Sequence, residues 1–88
     1  MLDVQLSAVC TRNMLTRDAA PVIEELRALA GDDHELLAQV AGRVAGWYES
    51  PETMTLCAAL VGQIEGAAPW AEASRKRRSR GHIRRPEP

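Results

Sequence analysis

The sequence predicts an all-α protein: a small bundle of about four short helices around a central antiparallel helical hairpin, followed by a basic C-terminal tail. Three observations predict it. Apolar residues recur at three- and four-residue spacing over most of the chain, as one buried helix face requires. Breaks rich in Asp, Gly, Ser and Pro separate those stretches at residues 18–21, 31–33, 49–51 and 66. Only the first ten residues alternate as a strand would, and nothing later in the chain offers a second strand to pair with them.

Residues 1–16 fit two patterns. Leu2, Val4, Leu6, Ala8 and Cys10 alternate, while Leu2, Leu6, Val9, Cys10 and Met14 fall on one helix face. The lack of a pairing strand favours the helix. Pro21 suits the first turn of a helix over 21–30, with Val22, Ile23, Leu26 and Leu29 on one side and Glu24, Glu25 and Arg27 on the other. Gly31 ends it.

The hairpin spans residues 33–65. Leu37, Val40, Ala41, Val44 and Trp47 or Tyr48 form the apolar face of its first arm; Met54, Cys57, Leu60, Val61 and Ile64 form that of its second. Asp32 or Asp33 is placed to cap the first arm. Ser50 is placed to cap the second, with Pro51 at its first helical position and Glu52 next. A connection this short sets the two arms side by side and antiparallel. Gly66 closes the hairpin, and Pro69 starts a last helix through Trp70 and Ala73 that runs into the arginines without an apolar stripe. Fraying is expected beyond Arg78.

Two features mark candidate contact surfaces. Ala38, Gly42 and Gly46 stand four apart in the first arm, and each mid-helix glycine costs about 1 kcal/mol against alanine. Close packing must compensate, either inside the bundle or across a dimer seam. Gly42 and Gly46 are therefore candidate protein-interface residues, as are Trp47, Tyr48 and Trp70, since aromatic side chains dominate binding hot spots. In a chain without phenylalanine, the ordinary reading of those three aromatics is core.

The net charge of −1 conceals a division. Residues 1–74 carry four arginines against eleven acids, and residues 75–88 carry seven cations against Glu87. The expected organisation is a helical domain over 1–74 and a basic, partly disordered tail over 75–88. Arg75, Lys76, Arg77, Arg78, Arg80, Arg84 and Arg85 are the candidate nucleic-acid-binding residues, able to neutralise phosphates and release counterions. Sequence-specific duplex reading is disfavoured. A recognition helix beginning near Asp32, Asp33 and Glu35 would repel phosphate, and the second arm has no Lys or Arg. The tail has no aromatic residue among its arginines to serve as a platform for base stacking. Its bland alternative is a solvated extension, or one folded back on the acidic body.

Other chemistry finds little support. Glu24-Glu25 and Asp32-Asp33-His34-Glu35 are the dense carboxylate groups, and both sit where a solvated helix face or helix N-terminus places acids. There is no phosphate loop and no nucleophile elbow, so no catalytic residue is assigned and the chain reads as a non-enzyme. Cys10, Cys57, His34 and His82 lack zinc-ligand spacing, and no metal or other cofactor is implied. Buried free thiols and a longest apolar run of six residues, 56–61, lead to a cytoplasmic expectation with no membrane partner.

The Leu-rich helix, the Gly31-Asp32 break, the segment Glu35-Leu36-Leu37-Ala38-Gln39-Val40-Ala41-Gly42 and the tryptophan-containing, Arg-rich end carry a resemblance. Over residues 22–77 the chain resembles small uncharacterised helical proteins of actinobacteria and their phages. The preference for Arg over Lys and the abundance of Ala suit a GC-rich genome of that kind. The resemblance implies an organism and a helical fold and carries over no functional residue. The expected function is a small interaction or regulatory protein that docks on a protein partner or on itself through its helical body. The alternative is non-specific DNA or RNA binding through the tail.

Overall fold

The computed structural model describes residues 1–83, with side chains through Arg78. Among the described residues there are five helices and no strand: α1 (Leu2–Arg12), α2 (Ala20–Ala30), α3 (His34–Tyr48), α4 (Met54–Gln63) and α5 (Ala67–Ile83). The chain is thus all-α, as its periodicity predicts, with five helices where about four were expected.

The ambiguous N-terminal segment is helical, with Leu6, Val9 and Cys10 buried. Asn13 ends α1 by donating from Nδ2 to the Val9 carbonyl at 2.6 Å. Pro21 lies in the first turn of α2, and the Asp18 carboxylate accepts from the Ala20 amide at 3.2 Å. Leu29, assigned above to the buried side of α2, is 38% exposed, and Ala30 takes the inward position. Gly31 stops α2 at φ +58°, where a side chain would be strained. The Asp33 carboxylate accepts from the Leu36 amide at 3.2 Å and caps α3 as expected.

The second cap lies three residues later than the sequence suggests. Residues 51–53 form a turn and α4 begins at Met54. Thr53, not Ser50, organises the connection. Its hydroxyl donates to the Tyr48 carbonyl at 2.8 Å and accepts from the Ser50 amide at 3.1 Å. One side chain thereby closes the end of α3 and fixes the entry to α4.

α3 is the central helix, and its most extensive packing is on α5 rather than on α4. The contacts give the direction. Gly66 lies against Ala38, Gly42 against Ala67, Trp70 and Ala71, and Gly46 against Ala71 and Ser74, so α3 and α5 run parallel. α4 returns the chain from the end of α3 to its beginning, which makes that parallel pairing possible. α1 and α2 complete the bundle, and the core is aliphatic: Leu6, Ile23, Leu26, Val40, Leu56 and Leu60 are its largest fully buried side chains.

The glycine pair therefore faces inward. A Cβ on Gly42 would collide with the Ala67 carbonyl oxygen and the Trp70 Cβ; one on Gly46 would collide with the Ala71 carbonyl oxygen and stand 2.8 Å from the Ser74 Cβ. Gly42 and Gly46, taken from the sequence as candidate interface residues, are covered by α5 of the same chain. The complementary stripe on α5 is Ala67, Ala71 and Ser74, all buried. This stripe of small residues escapes a search for large apolar side chains. α5 also crosses residue 75 without a break, so the expected boundary between body and tail falls inside a helix. Residues 84–88, with Arg84 and Arg85, lie outside the described residues.

Gly62, by contrast, sits on α4 where an added methyl group would have nothing within 4 Å. Gly62→Ala is expected to raise stability by about 0.5–1 kcal/mol through helix propensity. Gly46→Ala is expected to lower it by about 1–3 kcal/mol, because overpacking against backbone outweighs the same propensity gain. Urea midpoints of the two variants check this, and a Gly46→Ala variant as stable as the parent would contradict the close α3–α5 approach.

Candidate functional site

The parallel run of α3 and α5 brings the end of α3 beside the basic half of α5. Helix α3 has no basic residue in its own last turn, where its unpaired carbonyls and dipole favour a cation. α5 supplies one. Arg78 donates from Nη1 to the Trp47 carbonyl at 2.8 Å and to the Glu49 carbonyl at 3.3 Å. Arg75 donates from Nε to the Glu49 carboxylate at 2.8 Å. Two of the cations assigned to nucleic acid thus also anchor α5 to α3.

Lys76 and Arg77 are exposed. With Ser74 of α5, Arg77 lines a groove of about 310 Å³ whose other walls are Arg43, Val44, Trp47 and Tyr48 of α3. Trp47 and Tyr48 are each 47% exposed, so neither belongs to the core as the ordinary reading supposed. Trp70 is 37% exposed and lies two helical turns before Arg77, on the same side of α5. The side chains of Arg80, Arg84 and Arg85 lie outside the described residues. The structure therefore joins Trp47 and Tyr48 to Arg77 and separates them from Gly42 and Gly46. Sequence reasoning missed Arg43, a lone arginine on a helix whose signal exists only beside Arg77.

A second depression of about 420 Å³, lined by Arg27, Gly31, His34, Leu37, Gln63, Ile64 and Glu65, lies at the other end of α3. Its arginine is occupied, donating to the Gln63 carbonyl at 2.8 Å. The dense carboxylate groups are exposed: Glu25 pairs with Arg12 at 3.4 Å, and Asp33 is the helix cap. Among the described residues no three His, Cys, Asp or Glu side chains gather as a metal site would require, and no helix is long and apolar enough to cross a membrane.

Cys10 and Cys57 are free and buried. Burial, with a smaller contribution from neighbouring Cys57, pushes the Cys10 thiol up to about 12, and burial also raises Cys57. Both are protonated, weak nucleophiles at neutral pH. Comparison with family models, with curated proteins and with solved structures finds no match to this chain. The functional reading thus comes from the site itself.

The anchoring arginine and the buried thiol can each be tested. Arg78→Met should lower stability by about 0.3–1 kcal/mol, the range for a cation at a helix C-terminus, whereas Lys76→Met should leave the denaturation midpoint unchanged. In the unfolded chain the Cys10 thiol ionises near 9.0, while the folded protein holds its proton to about 12. Its contribution to stability is complete below pH 9 and falls as pH rises from 9 towards 12. Cys10→Ala should flatten that alkaline decline in urea titrations under reductant; an unchanged slope would place the thiol in contact with water.

Proposed function

We propose that this chain is a small non-enzymatic interaction protein that docks on another macromolecule through the joined ends of α3 and α5, and that the macromolecule is nucleic acid. The observation that carries the reading is the gathering of positive charge: Arg43 and Arg77 line one groove with Trp47 and Tyr48, exposed Lys76 is the neighbour of Arg77 on α5, and among the described residues no carboxylate lines that groove. Phosphate neutralisation by such a cluster supplies affinity without reading sequence. The small-residue face that favoured a protein partner is enclosed by α5, and the basic end is the candidate surface left exposed. Free, buried thiols support a reducing, cytoplasmic setting for this activity.

A second reading keeps a protein partner at the same place. Half-exposed aromatics flanked by arginines have the composition of a binding hot spot, and Trp47, Tyr48 and Trp70 would be its anchors.

The test is fluorescence anisotropy of labelled DNA and RNA with the full chain over a salt series. Binding should weaken linearly in log–log form as salt rises from about 50 to 200 mM. Lys76→Gln with Arg77→Gln, which spares the anchoring Arg75 and Arg78, should make the slope shallower by about 1.4 for single strands and 1.8 for duplex, two phosphates in each case. No binding at low salt, or a slope unchanged by the double substitution, rules the reading out.

A further inference from the structure

We propose that Arg43, Trp47 and Tyr48 of α3 with Arg77 of α5 form a binding site for single-stranded nucleic acid. The inference rests on the nucleic-acid reading above and adds to it the state of the strand and the residues that distinguish it. A site for duplex backbone needs cations alone, because the faces of paired bases are stacked on one another. Single strands expose those faces, and proteins that hold them combine a basic groove with aromatic rings on which the bases stack.

The basic tail taken as a sequence lacks that combination, since no aromatic stands among its arginines. The fold supplies it from another helix. Trp47 and Tyr48 leave the end of α3 half exposed, and Val44, Ser74, Arg43 and Arg77 line the groove with them. Arg43 and Trp47 are four residues apart and share one side of α3. Trp70, 37% exposed, lies two turns before Arg77 on the same side of α5. Arg75 and Arg78, held by Glu49 and the last carbonyls of α3, fix the two helices in the register that creates the groove.

An acidic peptide is the competing occupant. Arg43 of α3 and Arg77 of α5 line the groove together with the two rings, so a strand whose base stacks on a ring brings its adjoining phosphates to a cation. The two adjacent rings also present stacking surface rather than one enclosed hole for a single anchor. Both features favour the nucleic acid.

The experiment uses the full chain with labelled oligothymidylate and oligouridylate of about 16 nucleotides, a duplex of equal length, and poly-L-glutamate as competitor. Tryptophan emission is read in a Trp70→Phe background, which leaves Trp47 as the reporter. The expected result is tighter binding of the single strands than of the duplex at equal salt, with quenching of Trp47. Trp47→Ala should weaken single-strand binding by about fivefold or more, the low end of one base–aromatic stack, and Trp47→Phe should restore most of it. Arg77→Glu should weaken it more than Lys76→Glu, which lies outside the groove; helix content by circular dichroism verifies the fold of each variant. Equal binding of duplex and single strand with no effect of Trp47→Ala overturns the single-strand site and leaves backbone binding standing. Failure to bind either nucleic acid overturns both readings, and displacement by poly-L-glutamate at equal charge as effective as by oligothymidylate overturns the single-strand site in favour of an acidic protein partner.

Discussion

The close approach of α3 and α5 is the constraint on which the rest of this structure depends. Two mid-helix glycines each cost about 1 kcal/mol in helix propensity, and they stand where α5 backbone occupies the space of their missing side chains. The facing stripe of Ala67, Ala71 and Ser74 is small for the same reason. Neither stripe is useful without the other. Large side chains on either helix would separate the axes and expose the alanines that now form much of the core.

That contact also sets the electrostatics. Because the two helices are parallel, the carbonyl end of α3 lies beside the C-terminal half of α5, and a cation there meets both a dipole and unpaired acceptors. Arg78 fills this role, and Arg75 adds an ion pair with the Glu49 carboxylate beside it. Lys76 and Arg77, their immediate neighbours in sequence, are turned outward by the 100° step of the helix. One run of basic residues thus serves two ends: part of it locks the bundle, and part of it faces solvent beside the aromatic end of α3. The rigid set fixes the geometry that the exposed set presents.

The turn between α3 and α4 serves the same arrangement. Thr53 closes the end of α3 from one side while Arg78 closes it from the other, at successive carbonyls of Tyr48 and Trp47. Trp47 and Tyr48 are thus held on a helix end that is capped from two elements.

Much of the fold was legible from local pattern. The helical class, the Asp33 cap, the Gly31 stop, and the burial of Leu6, Val22, Ile23, Leu26, Leu37, Val40 and Leu60 follow from spacing and turn chemistry, which act within a few residues. The cost of Gly42 and Gly46 signalled a tight contact, although not with which helix. What the sequence could not determine was the partner of α3, because the stripe on α5 consists of alanines and a serine, residues that carry no hydrophobic signature and gain their meaning from a backbone facing them. The candidate site was hidden for the same reason: Trp47 and Arg77 are thirty residues apart, and only the return through α4 and the parallel packing of α3 on α5 place a ring beside a guanidinium. The sequence by itself determined which segments are helices and where charge accumulates; the tertiary structure decided which charges are held inside the fold and which remain exposed, because only packing brings Arg75 and Arg78 to the end of α3.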